Sequence, residues 1–192
     1  MSHDVKTTNL IKEGNMYNKF GEFDSYQEIN EAAEGQKQEG DKDALIELAK
    51  ENGIDEEDAL DYLEGVTDML CDPMMAAHGK IRIESTDLNP KDIMEDWRDY
   101  IISLCDYSDP DMNDKAKEAA KKMCIAVRRK DRSLKGCLAA LLKWSFSHQQ
   151  KIDQDILKEA NVKAGKVTLG IPGMATAHKI IRDYYMKGGD RS

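Results

Sequence analysis

Six carboxylates lie within ten residues of the sequence, with no lysine or arginine among them. They are Asp55, Glu56, Glu57, Asp58, Asp61 and Glu64. The segment lacks the D-x-D-x-D-G order of a calcium-binding loop, so no metal site is predicted. Two interpretations are open. The carboxylates form a solvated face, or they imitate a phosphate backbone and bind a basic nucleic-acid channel of another protein.

The acidic segment follows a pattern that is typical of a helix-turn-helix corner. Gly53 comes four residues after Ala49 and is followed by the apolar Ile54, which is the spacing of such a corner. In a DNA-binding protein the second helix faces the phosphates and needs positive charge. Here the second helix carries the carboxylates, so we predict a structural corner that does not recognise DNA.

Positive charge is concentrated in the C-terminal part of the sequence. Basic residues are dense from Lys117 to Lys135, and aromatic side chains lie nearby in sequence. This combination is typical of a nucleic-acid-binding surface, and residues 128–132 are predicted to form a loop that phosphates can reach. The alternative is that these residues pair with the acidic part or are solvated. The predicted nucleic-acid-binding residues are Lys121, Lys122, Arg128, Arg129, Lys130, Arg132, Lys135, Lys179 and Arg182.

Catalytic motifs are missing from the sequence. A nucleophile elbow and an HExxH motif are lacking, and Gly165-Lys166 does not fit a phosphate-binding loop because Val167 follows the lysine. The histidines are far apart, at His3, His78, His148 and His178. We therefore predict a binding protein without a cofactor rather than an enzyme.

The cysteines give no sign of a zinc site or of a disulfide framework. They stand at positions 71, 105, 124 and 137, with no C-x-x-C pair among them. We predict that they are reduced and serve as small apolar side chains on helix faces.

Apolar spacing and capping residues predict an all-α fold with at most a minor short β-hairpin or strand. In the N-terminal part, Ser25 and Glu28 form a capping box that starts a helix. Asp41 and Asp55 are predicted to cap the next two helices, the second of which carries the carboxylates.

The middle of the chain contains the best strand candidate of the acidic part. Residues 80–84 alternate between polar and apolar types, which predicts a strand, and Pro73 is predicted to interrupt the apolar segment before it. Asn89-Pro90 and Asp109-Pro110 each predict a helix start. The Met-rich stretch 66–76 belongs either to the core, which we favour, or to a homodimer interface.

The C-terminal part is predicted to be helical with one short strand. Ser133 starts a helix, Asp153 starts a short one, and a last helix ends at Gly188. The Gly-rich connection before the last helix contains a candidate strand at 166–169.

The net charge of −9 conceals a division along the chain. Residues 1–116 contain 11 Lys and Arg against 30 Asp and Glu, whereas residues 117–192 contain 17 against 7. Such a division suggests two surfaces with different partners, or two parts that face each other. We predict a flexible N-terminal arm over 1–22, an acidic helical subdomain over 23–108 and a basic helical subdomain over 109–192.

Length and hydropathy indicate where the protein works. No apolar run approaches the roughly 20 residues that a membrane helix needs. The first residues lack the basic-then-apolar order of a secretory signal. We therefore expect a protein of the cytoplasm, without a membrane partner.

Two stretches of the sequence resemble a known family. They are YLEGVTDMLCDPMMAAHGKI at 62–81 and residues 128–186, which include Ser133-Leu-Lys-Gly-Cys137, Gly170-Ile-Pro-Gly173 and Ile181-Arg-Asp-Tyr-Tyr185. These segments resemble small proteins of phages and conjugative elements in gut Firmicutes, some of which are anti-CRISPR proteins that inhibit the type II CRISPR effector nuclease.

The resemblance implies a function but no catalytic residues. It implies an inhibitor that binds the nuclease with its guide RNA in the bacterial host cell and blocks target DNA binding or cleavage. Such nucleases hold nucleic acid in a strongly positive channel, where the carboxylates from Asp55 to Glu64 would compete and the basic part would hold guide or target DNA. The alternative is a mobile-element accessory protein that binds nucleic acid through residues 117–192.

Overall fold

The computed structural model describes residues 19–187. Over that range the chain forms nine α-helices and one two-stranded antiparallel sheet, which confirms the predicted all-α fold with a minor β element. In chain order the elements are α1 (Tyr26–Glu39), α2 (Lys42–Glu51), α3 (Glu56–Glu64), α4 (Pro73–Leu88), α5 (Ile93–Cys105), α6 (Asp114–Arg128), α7 (Leu134–Ser147), β1 (Gln150–Lys151), α8 (Gln154–Glu159), β2 (Thr168–Leu169) and α9 (Met174–Lys187).

The first three helices begin at the residues that the sequence predicts. The side chain of Ser25 accepts a hydrogen bond from the Glu28 amide at the start of α1, and Asp41 caps α2 in the same way. Asp55 occupies the cap position of α3, but its carboxylate makes no capping bond. Local side-chain-to-backbone bonds therefore fix the entry into α1 and α2 and leave the Asp55 carboxylate free for another contact.

The strand predicted at 80–84 is wrong, because these residues belong to α4. Pro73 starts α4 rather than interrupting the segment, since a first-turn residue needs no backbone N–H. The helix buries Ile81 and Ile83, two positions apart, because it is covered on more than one side. That double burial produces the alternation that otherwise indicates a strand.

Two other helices begin a few residues later than predicted. Asn89 ends α4 in a left-handed conformation, with φ of 43°, and α5 begins after Asp92. The helix predicted at Asp109-Pro110 begins after Asn113, whose side chain accepts a hydrogen bond from the Ala116 amide. In each case the Asn-Pro or Asp-Pro pair lies in the connection that leads to the helix.

Buried side chains form two clusters that meet in α4. The first cluster combines α1, α2, α3 and the start of α4, and it ends at Ala76. The second begins at Ala77 and combines α4, α5, α6, α7 and α9. Packing therefore does not change at the predicted boundary after residue 108, because α5 before it and α6 after it share one cluster.

The end of the predicted N-terminal arm is bound to the helices. The backbone amides of Lys19 and Phe20 donate to the carboxylate of Glu51, at 2.7 and 3.0 Å. Residues 1–18 of the predicted arm, including His3, lie outside the described residues, as does the predicted end of the last helix at Gly188.

The Met-rich stretch 66–76 is divided between core and surface. Leu70, Cys71 and Ala76 are buried in the first cluster, whereas Val66 and Met69 are exposed. The structure thus places the apolar centre of this stretch in the core, as favoured.

A small sheet lies between α7 and α9. Strands β1 and β2 pair antiparallel, with Gln150 opposite Leu169 and Lys151 opposite Thr168. The strand predicted at 166–169 and the short helix predicted after Asp153 are both present. None of the helices described between residues 19 and 187 is long and apolar enough to cross a membrane.

All four cysteines lie buried with free thiols, as predicted. Burial raises the pKa of the Cys71 and Cys137 thiols to about 12. Neutral, unreactive thiols of this kind pack as small apolar side chains.

Candidate functional site

A close approach of two glycines positions α3. Gly53, with φ of 67°, turns the chain between α2 and α3 and lies directly against Gly79 of α4. A Cβ on either glycine would overlap the backbone of the other segment, so only glycines allow this approach. The predicted helix-turn-helix corner is therefore present, and α4 packs against its turn through Gly79.

The six predicted carboxylates lie together on this corner and on α3. We call them the acidic α3 surface. Asp58 and Asp61 are half-buried, and the other four are exposed: Asp55, Glu56, Glu57 and Glu64. No basic residue occurs within α3, so the whole helix presents negative charge.

Two of these carboxylates form ion pairs with basic side chains of neighbouring helices. Arg82 of α4 lies 2.7 Å from Asp55, and Lys50 of α2 lies 3.3 Å from Glu56. All four side chains are more than half exposed, so each pair contributes little to stability. Among residues 19–187, the other four carboxylates make no ion pair: Glu57, Asp58, Asp61 and Glu64.

Helix α1 holds the C-terminal end of α3. Lys37 Nζ donates to the Tyr62 carbonyl oxygen at 2.6 Å, and its ammonium lies 4.2 Å from the centre of the Tyr62 ring. The Tyr62 hydroxyl donates to Glu34 Oε2 at 2.6 Å, which lowers the pKa of the Glu34 carboxyl. Burial and the Glu34 carboxylate together raise the pKa of Tyr62 to about 12. Helix α3 is thus fixed from α1 at one end and from α4 at the other.

Charge crowding is visible at Asp58. Its pKa is raised, first by partial burial and then by the negative charges of Asp55, Asp61 and Glu57. Burial and like-charged neighbours both oppose ionisation of Asp58, so its negative charge costs folding free energy at neutral pH.

The direction of α3 disfavours negative charge at its far end. Acidic residues in the first turn of a helix are stabilised by the helix dipole, but acidic residues in the last turn are not. Asp61 and Glu64 stand in the last turn of α3, which contains no basic residue. The helix dipole therefore does not favour carboxylates at these two positions.

Two of the nine predicted nucleic-acid-binding residues are not on the surface. Arg128 is 1% exposed and donates from Nη2 to Asn52 Oδ1 at 2.7 Å. Arg132 is 8% exposed, and its guanidinium donates to Asp131 and lies over the Tyr184 ring. Their planar, charged groups join helices inside the protein, so the accessible phosphate contacts predicted for them are not available.

The other seven predicted cations are exposed, but some lie beside carboxylates. They are Lys121, Lys122, Arg129, Lys130, Lys135, Lys179 and Arg182. Lys122 pairs with Glu118, and Arg129 pairs with Asp131. Part of the positive charge of this region is therefore compensated within the chain.

A buried ammonium lies at the centre of the molecule. Lys80 is 0% exposed, and Nζ donates to the carbonyl oxygens of Arg129 and Arg132 at 2.5 and 2.7 Å. Its charge is balanced by Glu22 at 3.1 Å and Glu84 at 3.9 Å. Sequence reasoning missed this network. The available signal was the i,i+4 spacing of Lys80 and Glu84, which a strand assignment hides.

An apolar groove of about 410 Å³ lies between α5, α6 and α9. Alanine and methionine side chains line it, with Arg182 and Asp106 as its charged members. The three described histidines lie elsewhere in separate contacts. His178 stacks on Tyr100, and His148 stacks on Trp144. His78 Nε2 lies 3.3 Å from a backbone carbonyl oxygen of α5. Residues 19–187 contain no cluster of His, Cys, Asp or Glu that could hold a metal ion.

No protein-family model, no curated protein and no solved structure matches this chain.

Proposed function

We propose that this protein is an anti-CRISPR inhibitor that uses the acidic α3 surface to occupy the positive nucleic-acid channel of a guide-loaded type II CRISPR nuclease. It competes there with target DNA, and so blocks DNA binding or cleavage. The sequence resemblance described above supplies the class of target. The acidic α3 surface supplies the electrostatic means.

The observation that carries this proposal is the position of Asp61 and Glu64. Both carboxylates stand at the end of α3 where the helix dipole disfavours them, and neither makes an ion pair among the described residues. Charges that break a local stability rule without compensation occur mainly at functional sites. A positively charged partner would supply the missing compensation.

The rigidity of α3 also supports docking on a fixed channel. Lys37 and Glu34 hold its C-terminal end, and Arg82 contacts its N-terminal end. Carboxylates on a pre-organised helix lose little conformational entropy on binding. Complementary charge further accelerates the encounter with a positive channel.

Cleavage of a linear DNA target by the guide-loaded nuclease, with increasing amounts of the full-length protein, tests the proposal. The wild-type protein is expected to stop cleavage. Reversing three of the four carboxylates that make no ion pair, in a Glu57→Lys, Asp61→Lys, Glu64→Lys variant, is expected to raise the half-inhibitory concentration more than about tenfold.

A control variant carries the same charge change outside the acidic α3 surface, at Asp87→Lys, Asp96→Lys and Asp111→Lys, all exposed. It is expected to inhibit like the wild type. Unimpaired cleavage at excess wild-type protein contradicts the inhibitor role. Equal loss of inhibition in both variants contradicts the assignment to the acidic α3 surface.

A further inference from the structure

The last turn of α7 carries an exposed aromatic ring. Phe146 is 78% exposed, and the other aromatic side chains within residues 19–187 are buried or half-buried. Trp144 is close in sequence, but it is half-buried and stacked against His148, with ring centres 4.2 Å apart. Phe146 is therefore the aromatic face that a partner can reach.

Further apolar side chains are exposed on α7 and on strand β2, which passes its end. Leu142, one turn earlier on the same face of α7, is also exposed. Strand β2 approaches from the other side, because Gly170 lies directly against the Ser145 carbonyl oxygen and the Gln149 side chain. Leu169 and Ile171, which flank this glycine, are both about half exposed. An apolar surface of this kind at the end of a helix indicates a binding site.

The same end of the molecule carries more positive than negative charge. Lysines stand at 143, 151, 163 and 166, and the acids between them are Asp153, Asp155 and Glu159, of which Asp155 pairs with Lys158. Lys143 shares a helix face with Phe146, and Lys151 lies in β1, opposite Thr168 of β2. Within the described part of the chain none of the lysines at 143, 151, 163 and 166 forms an ion pair, in contrast to Lys122 and Arg129. The charge is thus available to an anionic partner.

We propose that Phe146, Lys143, Lys151 and Lys166 together form a surface that binds single-stranded nucleic acid. A base stacks on the Phe146 ring, and the lysines neutralise the neighbouring phosphates. A duplex fits less well, because its bases are already stacked on one another. The surface differs from the cations of 121–135 and α9 that the sequence singled out. It is also independent of the acidic α3 surface, so it goes beyond the inhibitor role.

Binding of the full-length protein to a fluorescein-labelled oligothymidylate, measured by fluorescence anisotropy at low salt, tests the stacking contact. Phe146→Ala is expected to weaken binding about tenfold, which is the usual effect of removing one stacking ring. Phe146→Trp is expected to retain binding. Ile125→Ala, an exposed apolar residue of α6, is the matched control and is expected to have no effect.

The salt dependence of the same binding tests the lysines. Each phosphate contact on a single strand contributes about 0.7 to the slope of log K against log salt, so Lys143→Ala, Lys151→Ala and Lys166→Ala together are expected to reduce it by about 2. The comparison variant removes the same charge at Lys121, Lys122 and Lys179. It is expected to reduce the slope less.

Several results would overturn the proposal. These are absence of binding at low salt, equal affinities of Phe146→Ala and Ile125→Ala, or a larger effect of the comparison triple variant. Tighter binding of a duplex than of the single strand also contradicts it. If sedimentation shows that Phe146→Ala converts a dimer to a monomer and leaves oligothymidylate binding unchanged, the surface binds a second copy of the chain instead.

Discussion

Lys80 and Glu84, one turn apart on α4, terminate two other helices with charges of opposite sign. Lys80 Nζ donates to the carbonyl oxygens of Arg129 and Arg132, just beyond the C-terminal end of α6. Glu84 Oε2 accepts a hydrogen bond from the Leu134 amide at 2.6 Å, at the start of α7. Both charges match the dipole of the helix end that they contact. Helix α4 thereby fixes the α6–α7 connection.

Replacing the buried ammonium should destabilise the protein strongly. Lys80→Met leaves the carbonyl oxygens of Arg129 and Arg132 without their donor and removes the main charge partner of Glu84. The free energy of unfolding, measured by urea titration, is expected to fall by about 3 kcal/mol or more. Lys122→Met, which removes an exposed ion pair with Glu118, is the control and should change it by less than about 0.5 kcal/mol. Similar values for the two variants would contradict a structural role of Lys80.

The half-buried carboxyl of Glu84 should make the free energy of unfolding depend on pH in a defined direction. Burial raises the pKa of Glu84, although the Leu134 amide and Lys80 act in the opposite sense. A carboxyl whose pKa is raised by folding destabilises the folded state above that pKa, and the cost disappears as the carboxyl becomes protonated. The unfolding free energy of the wild type relative to Glu84→Gln is therefore expected to increase as the pH falls through the raised pKa of Glu84 toward the ordinary pKa of a glutamate, about 4.3. Chemical unfolding of both proteins across this range measures it, and a constant or decreasing difference would show that Glu84 is not the group responsible.

The elements that sequence predicts well are those whose ends are fixed locally. Ser25 and Asp41 cap their helices through bonds three residues ahead, and such bonds depend on nothing outside the segment. The strand prediction for residues 80–84 fails for the opposite reason. Helix α4 lies between two clusters, and the burial of Lys80, Ile81 and Ile83 depends on packing against residues that are distant in sequence.

Prediction of the candidate sites also fails where a residue's environment depends on contacts that are distant in sequence. The carboxylates of α3 could be grouped from sequence because one short helix carries them all. The burial of Arg128 could not be predicted, because its partner Asn52 is separated from it by 76 residues. Nor does sequence distinguish Phe146 from core aromatic residues, since its exposure depends on how β2 passes the end of α7.

A glycine-to-alanine substitution should have opposite effects in two helices. Gly79 of α4 lies against the backbone of Asn52 and Gly53, so Gly79→Ala is expected to lower the unfolding free energy by about 2 kcal/mol, as overpacking does. Gly35 of α1 has open space around its Cα, and Gly35→Ala is expected to raise the same quantity by about 0.5–1 kcal/mol. Helix propensity alone predicts stabilisation in both variants. Thermal or urea unfolding of both variants and of the wild type measures the two changes. Stabilisation by Gly79→Ala would contradict the close packing of α4 on the α2–α3 corner.

Removing acidic charge at the two ends of α3 should change stability in opposite directions. Asp61→Asn with Glu64→Gln relieves an unfavourable interaction with the helix dipole, so the unfolding free energy is expected to rise by about 0.5–1 kcal/mol at low salt. Glu56→Gln removes a favourable first-turn charge and the ion pair with Lys50. It is expected to lower the unfolding free energy by about 0.3 kcal/mol. Both effects should shrink as added salt screens the charges. If the double variant is less stable than the wild type, Asp61 and Glu64 serve folding, and their position no longer supports a docking role. If it is more stable and also a weaker nuclease inhibitor, these two carboxylates are retained for binding at the expense of folding.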